Sequence, residues 1–300
     1  MPELGKLITA MVTPFDERGE VDYEQAKRLA LALLNSGSDG VVVSGTTGEA
    51  PTLSKAEKLR LFAEVKEAVG RKGTVIAGTG TYNTAESVEL TREAEGLGVN
   101  AILLVVPYYN RPPQDGLYEH FKTIAQATHL PCILYNVPSR TVTNLAAETV
   151  LRLSQIDNIV GVKDASGNFD QIGKIIQGAR KDFLVYSGND SDTLFVLSLG
   201  GYGIISVASH LVGLQIKRML QEFEHSDTDH AAEIHHQLMP LINALFLVAN
   251  PIPLKYALNK VGFSVGRPRL PLVPPDAKTA SAIDAVLKNY TIDLPLPAKA

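Results

Sequence analysis

Short apolar runs alternate along this chain with longer segments whose apolar positions repeat at helical spacing. The β-rich runs are Leu7–Val12, Gly40–Ser44, Thr74–Ala77, Ala101–Val106, Cys132–Tyr135, Ile159–Lys163, Phe183–Ser187 and Gly203–Ser206. They recur about every 30 residues, the length of one βα unit. They are apolar nearly throughout rather than alternating, as parallel strands buried on both faces must be. Amphipathic segments fall between them at Tyr23–Asn35, Lys55–Val69, Ala85–Leu97, Gly116–Ala127, Leu145–Leu153 and Phe169–Ala179.

Eight such repeats predict an α/β fold, a closed (β/α)8 TIM barrel, with an open doubly wound sheet as the competitor. Three helix starts are legible. Ser54 with Glu57 forms a capping box, and Asn83 with Glu86 and Asn168 with Gln171 have the same polar spacing. From about Leu211 the pattern is helical and strand-free, punctuated by Pro251, Pro253, Pro268, Pro271, Pro274 and Pro275. The organisation expected is a barrel domain at 1–222 and a C-terminal helical region at 223–300, with a frayed tail at 294–300.

Composition narrows the function classes. The 300 residues carry a formal charge of −4 with both signs dispersed, so no basic patch points to nucleic acid or a membrane surface. No apolar run is long enough to span a bilayer, and Met1–Lys6 lacks a signal-like layout. The single cysteine, Cys132, lies in an apolar run and reads as a buried, inert thiol. A cytoplasmic location fits these features.

In a (β/α)8 barrel the active site lies at the carboxyl ends of the strands, which ranks the motifs. Strand two ends in Gly45-Thr46-Thr47-Gly48-Glu49, where hydroxyls beside accessible amides suit a carboxylate; a tight turn is the bland alternative. Strand four ends in Pro107-Tyr108-Tyr109-Asn110-Arg111-Pro112-Pro113, a stiff loop presenting phenols or an oligomer contact. Strand five ends in Tyr135-Asn136-Val137-Pro138-Ser139-Arg140, with a phenol for proton relay and a guanidinium for a carboxylate, or simply a solvated arginine. Strand six ends in Val162-Lys163-Asp164. A desolvated lysine there would be a neutral nucleophile, able to form an imine with a ketone; the alternative is a snorkelling cation. Gly200-Gly201-Tyr202-Gly203 looks like a phosphate loop but precedes strand eight, on the opposite face. The polar cluster His225, Asp227, Asp229 and His230 reads as a solvated loop, with a metal site as the alternative.

Together, GTTGE, PYYNRP, YNVPSRT and GVKDASGN resemble the dihydrodipicolinate synthase / N-acetylneuraminate lyase family. The likeness runs from about Leu7 to Leu272, through Asn250-Pro251-Ile252-Pro253-Leu254-Lys255. The resemblance implies a pyruvate imine on Lys163, with Tyr135 as acid/base and Thr46 linking it to Tyr109 of a neighbouring subunit. It also implies that Thr47 binds the pyruvate carboxylate and that Gly188 and the Ile205 carbonyl line the pocket. The Thr46-Thr47 pair and Arg140 resemble the synthase branch rather than the sialic acid lyases. That branch condenses pyruvate with L-aspartate 4-semialdehyde, whose carboxylate Arg140 would receive. The product is 4-hydroxy-tetrahydrodipicolinate, committed to diaminopimelate and lysine. The resemblance implies a homotetramer of two dimers, with no metal or organic cofactor.

Two other readings stay open at this point. One is a Schiff-base aldolase for a 2-keto-3-deoxy sugar acid or N-acetylneuraminate. The other is a keto-acid-binding sensor without catalysis. The chain also departs from lysine-inhibited members of the family. Those carry histidines where Lys55 and Lys58 stand and an asparagine in place of Tyr82. Two ammonium groups would repel a lysine cation, so feedback inhibition is expected to be weak or absent.

Overall fold

The computed structural model describes residues 4–296. Eight parallel strands close into a barrel in sequence order, β1 pairing with both β2 and β8. They are β1 (Leu7–Ala10), β2 (Gly40–Val43), β3 (Thr74–Gly78), β4 (Ala101–Val105), β5 (Cys132–Asn136), β6 (Ile159–Asp164), β7 (Leu184–Ser187) and β8 (Gly203–Ser206). Each sequence-predicted strand is present within two residues at either end.

The helices are α1 (Tyr23–Asn35), α2 (Lys55–Val69), α3 (Thr84–Gly96), α4 (Gln114–Ala125), α5 (Pro138–Thr141), α6 (Ala147–Leu153), α7 (Phe169–Gly178), α8 (Thr193–Ser198) and α9 (Ser209–Glu224). They are followed by α10 (Thr228–Ala244), α11 (Ile252–Val261) and α12 (Ala277–Leu287). The Ser54–Glu57 capping box forms in full, each side chain bonding the other's backbone N–H. The other two starts form half of the motif. Asn83 and Asn168 accept from the first turn of their helices, but their own N–H groups donate to Thr81 and Ser166 hydroxyls. Gln171 instead turns inward, to the loop after β5 and to Asp164.

Strand alternation divides the core in two. Ile8, Val42, Ile76, Leu103, Ile133, Tyr135 and Tyr186 point into the barrel, while Leu7, Val41, Val75, Ile102, Leu134 and Val162 pack outward against the helices. Both faces are dry, which is why the sequence shows unbroken apolar runs rather than alternation.

The C-terminal region reaches back onto the barrel. Leu294, in the stretch expected to fray, is buried against the core, whereas 297–300 lie outside the described residues, as do 1–3. Lys255 of α11 forms a fully buried ion pair with Glu49 at 2.7 Å, directly after the glycine-threonine turn of β2. Its ammonium also sits 4.0 Å from the Phe15 ring and donates to the Arg267 carbonyl. Burial outweighs the Glu49 charge and pulls the Lys255 amine down to about 8. Arg269 donates through its backbone N–H to Glu49 and through its guanidinium to Glu57 and the Gly19 and Thr52 carbonyls.

Breaking a buried pair from one side strands an uncompensated charge. Lys255→Met should therefore cost about 3 kcal/mol of unfolding free energy, measured by urea denaturation at neutral pH. A loss under about 1 kcal/mol would mean that water reaches Glu49 and solvates it.

Candidate active site

Register builds the site. Tyr135 of β5 lies opposite Lys163 of β6, and Lys163 opposite Tyr186 of β7. Both Tyr135 and Lys163 fall on the inward-facing phase near the carboxyl ends of their strands. The Lys163 Nζ stands 4.4 Å from the centre of the Tyr135 ring, and the residue is only 5% exposed. An ammonium there loses most of its hydration, and desolvation lowers the Lys163 amine to about 8. The negative charge of Asp190 opposes that shift and the positive field of Arg140 adds to it. Roughly a tenth of the amine is then neutral near pH 7, far more than for an ordinary lysine, as a nucleophilic amine requires. Burial raises the Tyr135 phenol, against the Arg140 field and hydrogen bonding with Thr46.

The remaining candidates take distinct positions. Thr46, Tyr135 and Arg140 line one cavity of about 230 Å³, together with Ser44, Lys58 and Tyr108. Thr47 is buried beside it, its hydroxyl accepting from Asn250 Nδ2 at 2.9 Å. Arg140 donates to the Asn250 backbone carbonyl at 3.2 Å. Ile205 lies in the inner cluster, two residues beyond Gly203, which pairs with Tyr186. The Gly188 N–H donates to the Asp164 carbonyl at 2.7 Å, and a Cβ on Gly188 would come within 2.7 Å of the Ala165 Cβ. A side chain there would push the loop away from the lysine strand. Tyr109 is not brought to this site. It is 94% exposed on the β4–α4 loop, with φ at 73°.

Supporting groups fix the lysine strand. The Asp164 carboxylate accepts from the Ser166 N–H and hydroxyl and from Asn136 Nδ2. Asp190 accepts from the Ser206 hydroxyl and the Val207 and Ala208 N–H groups just before α9, and burial raises its carboxyl. Sequence reasoning gave no site role to Asn250, Ser44 or Asp190. Ser44 is concealed at φ 58°, its buried hydroxyl without a hydrogen-bond partner among the described residues. Asn250 carried a faint signal, a polar side chain before Pro251 in a largely apolar stretch.

The other polar features resolve simply. Cys132 is buried and its thiol is pushed up to about 12 by desolvation, an inert group. Asp227 caps α10 by accepting from the His230 N–H. Asp227, His230 and Glu222 bring three potential ligand groups together at the surface. Among the described residues, no helix is long and apolar enough to cross a membrane.

Fold and site together define a (β/α)8 barrel with a buried, desolvated lysine at its carboxyl face. The dihydrodipicolinate synthetase family profile matches residues 3–290, and the chain belongs to that family. It is 64% identical over 296 residues to the 4-hydroxy-tetrahydrodipicolinate synthase of Dehalococcoides mccartyi, covering 99% of this chain and all of that one. Among solved structures, a dihydrodipicolinate synthase from Bacillus anthracis superposes with a TM-score of 0.95 at 43% identity, covering 97% of this chain and 100% of the other. The dihydrodipicolinate synthase of Cyanidioschyzon merolae, solved with lysine bound, also scores 0.95 at 46% identity, covering 96% and 99%.

Depressed amines are directly observable. After reductive ¹³C-methylation, two lysine resonances should titrate near pH 8, and Lys163→Met and Lys255→Met should each remove one. A Lys163 midpoint at or above its ordinary 10.5 would show that the amine stays hydrated.

Proposed function

We propose that this chain condenses pyruvate with L-aspartate 4-semialdehyde through an imine on Lys163, giving 4-hydroxy-tetrahydrodipicolinate in the diaminopimelate route to lysine. The observation that carries this reading is the desolvated Lys163 amine held 4.4 Å from the Tyr135 ring on the catalytic face. Membership of the family supports the choice of substrates.

Neutral Lys163 attacks the pyruvate ketone, and Tyr135 passes the protons needed to expel water. The imine draws electrons from the neighbouring methyl, which loses a proton and becomes the enamine carbon. That carbon adds to the aldehyde, the substrate amine displaces Lys163, and the ring closes. Because the imine is itself the electron sink, the reaction requires neither metal nor organic cofactor. Thr47 receives the pyruvate carboxylate and Arg140 that of the semialdehyde, as a guanidinium can in bidentate fashion. Gly188 and the Ile205 carbonyl bound the pocket beside the lysine.

Thr46 hands protons between Tyr135 and a Tyr109 lent by a second copy. An almost fully exposed tyrosine held at positive φ supports this reading, since the left-handed region is unfavourable without a purpose. The proposed assembly is a homotetramer of two such dimers, acting in the cytoplasm. The comparisons reported above name synthases, and none favours a sugar-acid aldolase or a sensor.

Borohydride with pyruvate should fix a stable adduct on the Lys163 peptide, seen by mass spectrometry. Trapping should accelerate as pH rises through about 8, because the deprotonated amine is the nucleophile. Lys163→Ala should abolish the adduct. Arg140→Ala should keep it and raise KM for the semialdehyde about tenfold or more, the scale of one lost charge-assisted contact. No adduct on wild-type protein overturns the imine reading, and loss of trapping in Arg140→Ala overturns the role of Arg140.

Feedback by lysine is expected to be weak, for a narrower reason than two free ammonium groups. Lys55 is paired with Glu89 and Glu93. Lys58 lines the cavity and is partly desolvated, so of the two lysines it is the one that confronts an incoming cation there, together with Arg140. Half-maximal inhibition at sub-millimolar L-lysine in a steady-state assay would contradict this, and Lys58→His should strengthen whatever inhibition exists.

A further inference from the structure

We infer that Asn250, at the start of the α11 segment, is a positioning residue that polarises the Thr47 hydroxyl toward the pyruvate carboxylate and anchors Arg140 through the same residue. The inference rests on the pyruvate-condensing reading above. It deepens that reading by assigning work to the C-terminal helical region.

The hydrogen-bond inventory carries it. A threonine hydroxyl has one proton to donate and two lone pairs to accept with. An amide Nδ2 can only donate. The Asn250 Nδ2 bonds the Thr47 Oγ1 at 2.9 Å, so the threonine must accept there, leaving its proton for another acceptor. A carboxylate is the acceptor such a proton binds best. Had an acceptor faced Thr47 instead, that proton would be consumed and the oxygen lone pairs would repel the anion.

Asn250 is 5% exposed, and its Oδ1 is buried with no hydrogen-bond partner among the described residues. Its backbone carbonyl accepts from Arg140 Nη2 at 3.2 Å. One residue therefore touches the groups assigned to each substrate, through its side chain for pyruvate and its backbone for the semialdehyde. Replacing the side chain should disturb the first contact and spare the second.

The test is a steady-state comparison of wild type, Asn250→Ala, Thr47→Val and the double variant, with both substrates varied. Asn250→Ala should raise KM for pyruvate about fivefold, the scale of one hydrogen bond, and leave KM for the semialdehyde within about twofold. In the Thr47→Val background it should add little, because the hydroxyl it polarises is gone. Asn250→Asp should weaken pyruvate binding beyond Asn250→Ala, since a carboxylate takes the threonine proton and adds a like charge. Pyruvate KM within twofold of wild type in Asn250→Ala overturns the inference, as does an equal loss in both Thr47 backgrounds or equal losses for both substrates. Borohydride trapping on wild type separates this from failure of the parent reading. An adduct with unaltered pyruvate dependence in Asn250→Ala defeats only the Asn250 role, whereas no wild-type adduct defeats the imine chemistry beneath it.

Discussion

Removing a lysine amine from water costs several kcal/mol if the charge is kept, so a buried lysine must find a partner or lose its proton. Lys163 sits at this branch point. Its neighbours inside the barrel are a tyrosine ring and apolar strand residues, and no carboxylate is paired with it among the described residues. The nearest acidic influence, Asp190, spends its oxygens on Ser206, Val207 and Ala208. The amine therefore settles well below its ordinary range, so desolvation inside the barrel favours the neutral form that the proposed imine chemistry needs. A barrel serves this purpose because its closed sheet leaves no edge for water and its alternation directs one face of each strand inward.

Holding that amine in place is different from binding the molecules it reacts with. The groups proposed to bind them lie on the loops beyond the strands, several of which carry strained backbone. Ser44, Glu49, Tyr109, Arg111 and Val142 all adopt positive φ on the β2, β4 and β5 connections. Such conformations persist only where the surroundings over-determine them. On the β2 loop the surroundings are the C-terminal helices. The Glu49–Lys255 pair, the Arg269 contacts and the Asn250–Thr47 bond all tie the glycine-threonine turn after β2 to residues more than two hundred positions later. The helical region after the barrel is thus a clamp on the active face.

The same division shows in how far the sequence could be read. Strand and helix limits were legible because a buried parallel strand and an amphipathic helix each leave a distinct period, and the Ser54–Glu57 box because both partners lie within one turn. The Asn83 and Asn168 boxes closed only halfway because nearby hydroxyls offered their N–H groups better acceptors. The candidate residues on β5 and β6 were legible through their place at strand ends. Asn250 was legible only as part of the Asn250–Lys255 stretch of the likeness, and no local pattern tells whether an asparagine before a proline serves a site or a turn. Tyr109 was legible as a motif residue yet stands apart in the single chain, 94% exposed on the β4–α4 loop, because a motif does not fix which way its side chain faces.

By itself, then, the sequence determined the eightfold repeat, the dry strands, the family and the lysine at the sixth strand end. Those properties are written in local periodicity and contiguous motifs. Tertiary structure alone decided that Lys163 faces Tyr135 across one register step, that Lys55 is spent on Glu89 and Glu93 while Lys58 reaches the cavity, and that Asn250 meets Thr47. Each of these is a contact between residues far apart in the chain. Distance and desolvation, which set their chemistry, exist only once the barrel has closed.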